Sequence, residues 1–455
     1  MEGLEISEVR LSEVQLSHKD IRVDAEFYQR KYLDNRRYLN EKSYPKLSSI
    51  ADTFGGYAYA SDAFGCDGIS IATIADINAS MPVDSWNKIT IKEYNKFPSN
   101  ALGKNDILIG ATHHNYWDLG KLLLIYNQPQ YEITYNQRIF NIRARINQLF
   151  LFIVLQTSFV RLQIEILGRG NNQLNLSKYD LDNLQIPVLS DSFQLQIGKN
   201  VDCAYQYLSK SKSLYSKAED ILLSELGLKD WQPNNAPVNI KQLKESFLTS
   251  GRLDAEYYQT KYDEIENIIK NYKNGTEIIG DLFTQNTEVC DFKEESYNYI
   301  EIGDINISDG TAKYNLISKE ELPDNAKRVL HKNDILISKV RPYRGAVSII
   351  DFDDDKLIGS GAFTVLHEKT TYKKEVLQIL LRTQVYRDWL LKWNVGSSYP
   401  VIKDEDILNL PIPILPMPIQ ETISAKIQES FALKAESRRL LDQAKLMVER
   451  EIEKE

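Results

Sequence analysis

Residues 22–32 read Arg-Val-Asp-Ala-Glu-Phe-Tyr-Gln-Arg-Lys-Tyr, and residues 252–262 read Arg-Leu-Asp-Ala-Glu-Tyr-Tyr-Gln-Thr-Lys-Tyr. The second stretch repeats the first at a displacement of 230 residues. Three further pairs of segments repeat in the same order at displacements of 228, 228 and 226 residues: 74–78 with 302–306, 104–109 with 332–337, and 180–187 with 406–413. The chain therefore contains two tandem copies of one sequence, a first copy at roughly residues 10–230 and a second copy at roughly 240–455.

The composition is that of an ordinary globular protein. Of the 455 residues, 42% are hydrophobic and 26% are charged, which excludes wholesale disorder. The formal net charge is −9, so any nucleic-acid surface has to be a local basic patch. The cysteines (66, 203 and 290) are too far apart to indicate a disulfide framework or a zinc site. Because no signal peptide or membrane-spanning apolar run is found, we expect a cytoplasmic protein with no membrane partner.

Within each copy the sequence changes character once. Short runs rich in Ile, Tyr, Phe and Val are broken by Gly, Asn and Asp, which predicts strands joined by turns with a few helices. Asn-Asp precedes Ile-Leu-Ile at 105–109 and at 333–337, which indicates a turn that enters a buried strand. A long helical segment then closes each copy, with apolar residues spaced by fours and threes as in a coiled coil. The seam residues are Ile197, Val201, Ala204, Leu208, Ser211, Tyr215, Ala218 and Leu222 in the first copy, and Ile419, Ile423, Ile427, Phe431, Leu440, Leu441, Ala444, Val448 and Ile452 in the second.

These patterns predict an α+β fold with two pseudo-symmetric globular domains separated by two long, antiparallel, coiled-coil-like helices. The predicted parts are a first globular domain at 1–190, a central helical spacer at 191–230, a linker with a second globular domain at 231–415, and a C-terminal helical spacer at 416–455. We expect the two helices to pack on each other. The alternative is that each helix lies on the core of its own domain.

The ordered set of motifs resembles the specificity subunits of Type I restriction–modification enzymes over nearly the whole chain. The motifs are Asp-Ala-Glu followed by two aromatic residues at 24–28 and 254–258, Asn-Asp-Ile-Leu-Ile at 105–109 and 333–337, Asn-Gln-Arg-Ile at 136–139, Asn-Leu-Ser at 175–177, and Leu-Pro-Ile-Pro at 410–413. The resemblance implies two target-recognition domains, each of which reads one half of a bipartite, asymmetric sequence in double-stranded DNA. It also implies helices that set the spacing and dock two methyltransferase subunits.

The same resemblance implies a subunit that catalyses nothing by itself. S-adenosylmethionine, ATP and Mg²⁺ are expected on the methyltransferase and restriction/translocase subunits, and no cofactor or metal is expected in this chain. Its own residues agree, because the sequence lacks a Pro-Pro pair of the kind found in amino-methylating pockets, a phosphate-binding loop and a His-x-x-x-His spacing.

Four loops are candidates for DNA contact. In the second copy, Ser-Lys-Val-Arg-Pro-Tyr-Arg-Gly at 338–345 follows the Ile-Leu-Ile strand and belongs to a run of six basic residues between 327 and 344. In the first copy, the same place is held by an unrelated loop at 110–121, as two readers of different half-sites would require. A second pair of loops, at 168–175 and 394–400, offers amides and hydroxyls that can pair with base edges. The alternatives are a solvated basic turn, relaxed surface loops and simple turn chemistry.

The resemblance adds Gln137 and Arg138 to the candidates, with Gly361-Ala362 at the corresponding place of the second copy. The predicted DNA-binding residues are Thr112, His113, His114, Asn115, Lys121, Gln137, Arg138, Arg169, Asn171, Gln173, Lys339, Arg341, Tyr343, Arg344, Ser397, Ser398 and Tyr399. The Asp24 and Asp254 segments are instead predicted to be structural, with the aspartate capping a helix above packed aromatic residues.

Three alternative functions stay open at this point. The chain could serve a different restriction architecture, in which one partner fuses methylation with cleavage. It could be an autonomous nuclease, for which Pro323-Asp324 with Lys327 is an incomplete metal motif that lacks a second acid. It could also be a pseudo-symmetric scaffold that binds only proteins.

Overall fold

The chain divides into two compact units, each of which contains the globular part of one sequence copy. The first unit comprises Met1–Tyr207 with Ala435–Glu455, and the second comprises Leu208–Lys434. The computed structural model describes residues 7–17, 21–65, 67–79, 83–170, 173–234, 236, 238–395 and 399–454. The division falls inside both long helices, so each helix contributes one half to each unit. The four-part division expected from the sequence stays a prediction.

The first unit combines helices with short strands. Its helices are α1 (Leu11–Ser17), α2 (Arg30–Glu41), α3 (Leu47–Ile50), α4 (Ile74–Ala79), α5 (Ile91–Tyr94), α6 (Gln148–Val154), α7 (Ser158–Leu167), α8 (Lys178–Asp182) and the beginning of α9 (Asp191–Glu225). Its strands are β1 (Ala51–Gly55), β2 (Phe64–Gly65), β3 (Ile69–Ala72), β4 (Lys88–Ile89), β5 (Asp106–Gly110), β6 (Thr112–His113), β7 (Leu122–Ile125), β8 (Ile133–Tyr135), β9 (Ile139–Ala144) and β10 (Leu174–Asn175).

Two four-stranded sheets organise the first unit. The main sheet is antiparallel, with the order β1-β9-β5-β7, and the second sheet has the order β2-β4-β3-β8 with β3 and β8 parallel. Every residue of β5 is buried, as the Ile-Leu-Ile run predicts. The turn before β5 places Asn105 in the left-handed region, at φ +64°, which asparagine tolerates better than most residues. The predicted turn into a buried strand is therefore confirmed.

The second unit repeats this arrangement. Its helices are the end of α9, α10 (Phe247–Ser250), α11 (Thr260–Lys270), α12 (Ile279–Leu282), α13 (Lys374–Arg382), α14 (Gln384–Leu390), α15 (Asp404–Leu408) and the beginning of α16 (Met417–Lys454). Its strands are β11 (Thr276–Ile278), β12 (Phe283–Gln285), β13 (Ser296–Ile300), β14 (Asn315–Ser318), β15 (Ala326–Val329), β16 (Ile335–Ser338), β17 (Val347–Ile349), β18 (Leu357–Ser360), β19 (Phe363–Glu368) and β20 (Pro411–Pro413).

The main sheets of the two units match strand for strand. The second sheets share three strands, β4-β3-β8 and β14-β13-β18, and differ in the fourth, which is β2 beside β4 in the first unit and β15 beside β18 in the second. The antiparallel sheet β12-β19-β16-β17 corresponds to β1-β9-β5-β7, and β14-β13-β18-β15 again contains one parallel pair, β13 with β18. Asn333 repeats the left-handed turn of Asn105, at φ +75°. The repeat seen in the sequence is therefore a repeat of topology, and the predicted α+β fold with a long helix between two sheet-containing regions is confirmed.

The same buried aspartate opens the central strand in each unit, but its partner differs. Asp106 accepts from Arg143 through both carboxylate oxygens, at 2.8 and 2.7 Å. Asp334 is fully buried and its carboxyl group contacts the ring of His367, which stands at the position of Arg143 in the equivalent strand. Both units therefore keep a buried aspartate at this position, while its partner is arginine in one unit and histidine in the other.

The long helices pack through the predicted seam. In the second unit, the hydroxyls of Ser211 and Ser430 lie 2.9 Å apart and are buried, and in the first unit the amide of Asn200 contacts the sulfur of Met447. Because residues late in one helix meet residues early in the other, the helices run antiparallel, as predicted. The seam residues also join the hydrophobic core of the unit in which they lie, so the alternative packing on each domain core holds as well.

The seam of α16 contains buried polar residues in addition to the predicted apolar ones. Ile423, Ile427, Ala444, Val448 and Ile452 are buried as predicted. Between them the seam runs through small polar residues, since Ser430 and Ser437 are also buried. Apolar periodicity alone therefore misses the middle of this seam.

The repeated Asp-Ala-Glu segments are structural in both units. Asp24 accepts from the N–H of Phe27 at 3.1 Å and so caps the short 3₁₀ helix at 25–28, with Phe27 buried beneath it. Asp254 makes no capping hydrogen bond with its side chain and instead binds Arg252 at 2.6 Å, so the prediction of a capping role is wrong for this residue. The Arg–Asp contact itself is repeated, because Arg22 binds Asp24 in the same way.

Among the described residues, no single helix is long and apolar enough to cross a membrane, although α6 and α7 together reach that length and composition across a bend of 66°.

Candidate nucleic-acid interface

Three segments of the first unit meet just beyond the end of β5. Ala111 donates its N–H to the carbonyl oxygen of Arg138 at 2.8 Å and accepts from the N–H of Leu176 at 2.8 Å. These bonds join the first-copy loop (residues 110–121) to the turn between β8 and β9 and to the segment that follows α7. The regions in which the sequence places the first-copy candidates are therefore neighbours.

The second unit builds the same junction around a different residue. Lys339 donates its N–H to the carbonyl oxygen of Ala362 at 2.9 Å and accepts from the N–H of Ile402 at 3.0 Å. The second-copy loop (residues 338–345) is thus joined to the turn before β19 and to the segment after α14. The backbone frame is repeated, while alanine in one copy is replaced by lysine in the other.

The first-copy loop is more regular than the sequence predicts, because Thr112–His113 form β6 and pair with β10. Thr112 is buried by this pairing. The ring of His113 accepts from the N–H of Asn115 at 3.0 Å, and its other nitrogen lies 3.9 Å from Asp118. His114 follows the strand and is exposed.

Charge and aromatic surface lie together in the rest of this loop. The ammonium group of Lys121 lies 2.7 Å from Asp118. Burial acts to raise the pKa of Asp118, but the hydrogen bond from Lys121 and the attraction of its charge outweigh burial, and the pKa lies below its usual range. Tyr116 and Trp117 are not among the predicted site residues, yet Trp117 is 70% exposed. Sequence composition alone does not distinguish a surface tryptophan from a core one.

Gln137 and Arg138 occupy the turn between β8 and β9, where both side chains are exposed. Asn136 fixes this turn, because its side-chain oxygen accepts from the N–H of Arg138 at 3.0 Å. The exposed guanidinium of Arg138 therefore stands on a turn that is tied by backbone bonds to the start of the first-copy loop.

The loop after α7 contains an arginine, Arg169, that contacts a carboxylate of the fold. Arg169 lies 3.5 Å from the buried carboxylate of Asp180, and its backbone pairs with Asn175. The side-chain amide of Asn175 donates to the carbonyl oxygen of Gln173 at 2.9 Å, and the Gln173 side chain is half-buried. Asn171, the remaining candidate of this loop, lies outside the described residues.

Of the three basic residues in the second-copy loop, Lys339 is the most enclosed. Its side chain is 17% exposed and lies 3.1 Å from Asp404, which also accepts from the hydroxyl of Thr364 at 2.6 Å. Tyr343 and Arg344, by contrast, are exposed. Lys339 is thus engaged within the fold, whereas Arg344 and Tyr343 form part of the surface.

Arg341 has a strained backbone. It lies in the left-handed region, at φ +51° and ψ +54°, and it immediately precedes Pro342. Both features are unfavourable for a residue with a side chain and together cost about 1–3 kcal/mol. The N–H of Arg341 donates to the carbonyl oxygen of Pro400 at 2.8 Å, and its guanidinium lies 5.6 Å from the ring centre of Tyr399. Ser397 and Ser398, in the same neighbouring loop, lie outside the described residues.

The run of six basic residues does not form one surface. Lys327 and Arg328 lie on β15, in the second sheet, and the guanidinium of Arg328 donates to a backbone carbonyl at 2.7 Å. Lys332 precedes β16, whereas the second-copy loop follows it, so they stand at opposite ends of that strand. Sequence proximity therefore overestimates the local positive charge at the candidate interface.

Among the described residues, no three or more histidine, cysteine, aspartate or glutamate side chains form a group that could hold a metal ion.

Comparison with known families gives a match for the region of the second unit that contains the junction around Lys339. Residues 264–443 match the family model described as the Type I restriction modification DNA specificity domain. This region is similar to Type I specificity domains. It contains the main sheet of the second unit, the second-copy loop and the first part of α16.

A curated relative extends the similarity beyond that specificity domain. The Type I restriction enzyme EcoDI specificity subunit of Escherichia coli is 21% identical over 285 residues, which cover 58% of this chain and 59% of that protein. The resemblance to Type I specificity subunits is therefore confirmed. The chain matches about three fifths of that relative's length.

Solved structures of Type I specificity subunits are also similar to the chain. The specificity subunit from M. genitalium is 13% identical, with a TM-score of 0.42 over 90% of this chain and 94% of that chain. The HsdS subunit from Thermoanaerobacter tengcongensis is 14% identical, with a TM-score of 0.27 over 90% of this chain and 95% of that chain.

Proposed function

We propose that the chain is the DNA-recognition subunit of a Type I restriction–modification complex and catalyses nothing by itself. Each copy reads one half of a bipartite, asymmetric target in double-stranded DNA. The long helices set the spacing of the half-sites and dock two methyltransferase subunits, and restriction/translocase subunits join the complex. S-adenosylmethionine, ATP and Mg²⁺ belong to those partners.

One observation carries this proposal: two equivalent backbone junctions present unlike side chains. The hydrogen bonds around Ala111 and Lys339 are the same, but the loops that follow share no residue pattern. A protein that bound one ligand twice would repeat the side chains along with the frame. Two domains that bind different base sequences need the same backbone frame with different exposed side chains, because side chains distinguish the base edges.

The exposed candidates have the chemistry for base edges and phosphates. Arg341 and Arg344 can bind the O6 and N7 atoms of guanine through two hydrogen bonds or clamp a phosphate. In the first copy, Arg138 and Gln137 offer the corresponding donors, and Gln137 can pair with adenine. Arg169 and Gln173 extend the same surface.

A selection experiment tests the function. The purified chain, alone and with a methyltransferase subunit, is mixed with a pool of randomised duplexes at moderate salt, and the retained duplexes are sequenced. We expect two short conserved blocks separated by a spacer of fixed length, with no cleavage or methylation by the chain alone in the presence of Mg²⁺ and S-adenosylmethionine. Absence of duplex retention at every salt concentration would refute DNA recognition and favour a protein-binding scaffold.

Two further outcomes would replace the proposed function with a different one. Cleavage of the pool by the purified chain with Mg²⁺ would identify an autonomous nuclease. Recovery of the complex from cells with a single partner that both methylates and cleaves would identify a different restriction architecture.

A further inference from the structure

We propose that Arg161 and Arg382, which are not among the candidate DNA contacts, are positioning residues that hold the first-copy loop and the second-copy loop in their reading conformations. This inference rests on the proposed DNA recognition. In each unit, one arginine from the helical layer donates to backbone carbonyl groups of the loop, two in the first unit and one in the second, so that the loop is fixed from beneath while its outer side chains stay available.

In the first unit, Arg161 of α7 holds the far end of the loop. Its guanidinium donates to the carbonyl oxygens of Gly120 at 3.2 Å and Trp117 at 3.0 Å. Burial lowers the pKa of Arg161, which indicates that the guanidinium lies in a partly dehydrated place. Gly120 has φ +72°, and a Cβ there would lie 2.8 Å from the side chain of Ile164. The loop is therefore seated directly on α7.

In the second unit, Arg382 at the end of α13 performs the equivalent task and is only 9% exposed. It donates to the carbonyl oxygens of Gly345 at 2.8 Å and Ile307 at 3.0 Å, and to the hydroxyl of Tyr215 at 2.7 Å. A guanidinium has a rigid fork of five donors, so one side chain can join three segments in fixed geometry. Here it joins the end of the second-copy loop to a neighbouring loop and to α9.

The two arginines do not occupy equivalent positions, which argues that the contact with the loop is what the two copies share. The position of Arg161 is held in the second copy by Arg387, which packs against Gly345 and donates to Gln384. The position of Arg382 is held in the first copy by Gln156, which lies just after α6 and donates to the carbonyl oxygen of Phe152 in that helix. Each copy thus fixes a loop of different length and sequence with a different arginine.

Fixing the loops matters because base recognition depends on accurate placement of the donors. Removal of the Arg161 guanidinium takes the side-chain donor from two loop carbonyl oxygens. Removal of the Arg382 guanidinium takes it from one loop carbonyl oxygen, that of Gly345, which keeps the N–H of Val347 as a donor. The loop then samples other conformations, and its exposed side chains no longer match one base pattern. Binding to phosphates, which tolerates displacement, should persist.

The test uses the full-length chain with Arg161→Gln and Arg382→Gln, and each variant serves as the control for the other. Duplexes retained from a randomised pool are sequenced for the wild type and both variants. We expect each variant to lose base preference in one half-site only, a different half for each, while retention at low salt stays near that of the wild type.

Lys434→Met controls for the loss of a partly buried cation in the second unit. The ammonium group of Lys434 is paired with Asp309 and bonds to the hydroxyl of Thr311 at 2.6 Å. We expect this variant to be less stable but to keep the base preference of both half-sites.

Hydrogen exchange measures positioning without DNA. In Arg382→Gln, peptides that cover residues 341–346 should exchange roughly tenfold faster, as loss of a charged hydrogen bond predicts, whereas Lys434→Met should leave them unchanged. Unchanged exchange, or unchanged preference in both half-sites, would overturn this inference and leave the proposed function intact. If the wild type itself selects no sequence, the proposed function fails and this inference fails with it.

Discussion

Arg341 has an unfavourable backbone conformation immediately before a proline, and its side chain lies at the candidate interface. Its replacement should therefore change both the stability of the chain and its binding to DNA. Arg341→Gly removes the steric cost of the left-handed region and should raise the free energy of unfolding by about 1 kcal/mol. It also removes the guanidinium that lies over Tyr399 and should weaken DNA binding by about 1–3 kcal/mol. Urea denaturation and binding titrations measure the two effects.

Arg344→Gly is the matched control for this prediction. Arg344 belongs to the same loop and is exposed, but its φ is not positive. The substitution should weaken binding without any gain in stability. A loss of stability in Arg341→Gly would show that the conformation is not strained.

The buried carboxyl of Asp334 predicts a pH dependence. Burial raises its pKa, against the lowering effects of the His331 N–H and the His367 ring. A carboxyl whose pKa is higher in the folded chain than the unfolded value of about 3.9 is favoured by folding in its protonated form. The free energy of unfolding therefore falls as the pH rises from the unfolded pKa to the folded one, and then levels off.

Asp334→Asn removes this dependence. We expect the unfolding free energy of the wild type minus that of the variant to decrease as the pH rises above about 4. Urea denaturation at closely spaced pH values measures the difference. An increase over the same interval would contradict the raised pKa.

At the residue scale, the sequence predicts which segments contain the candidate site. It predicts less well which side chains in those segments are bound to other residues of the protein. Lys339 and Arg341 are two residues apart in a basic run, yet one is paired with Asp404 and the other is held over Tyr399. These partners come from residues about sixty positions away. Local composition contains no information on such pairings, so the engaged and the available arginines and lysines look alike in the sequence.

Among the elements, the long helices show what periodicity detects and what it misses. The seam of α9 is largely apolar, and the sequence predicts most of it. Leu214 is buried without being predicted, and the predicted Leu208 and Tyr215 are half-buried. The seam of α16 passes through Ser430, whose small side chain permits close approach to Ser211 of α9, and Ser437 is buried as well. A hydrophobic pattern cannot mark these positions, because buried serines are stabilised by specific hydrogen bonds and not by apolar area.

Ser430→Leu tests the close approach of the helices. The hydroxyl of Ser430 donates to the carbonyl oxygen of Ser211 at 2.8 Å, so a larger side chain has no space and should cost about 1–3 kcal/mol of unfolding free energy. Ala432→Leu is the control, since Ala432 is exposed on the same helix. Equal denaturation midpoints for the two variants would contradict a tightly packed seam.

At the scale of the whole molecule, the repeated frames predict that recognition is modular. Replacement of residues 240–415 by the corresponding region of a relative leaves α9 and α16 intact, because these helices end at Glu225 and begin at Met417. We expect one half of the selected DNA sequence to change and the other half to remain. Sequencing of duplexes selected from a randomised pool measures both halves at once, and a change in both would refute modularity.

The tandem organisation is predictable because four motifs repeat at almost constant displacement. The division into two units is less predictable, because it depends on which hydrophobic core each part of a long helix packs against. Ala444, Val448 and Ile452 come from the second copy in sequence, yet they belong to the hydrophobic core of the first unit. Repeats in sequence define equivalent residues and do not determine which residues share a core.

This exchange of core residues has a consequence for biosynthesis. The ribosome releases residues 1–207 long before residues 435–455, so the nascent first unit has to wait for Ala444, Val448 and Ile452 before its apolar core can close. The second unit, which is contiguous from residue 208 to residue 434, has no such delay. Although domains usually mature in the order of translation, here the later-made unit can be completed first.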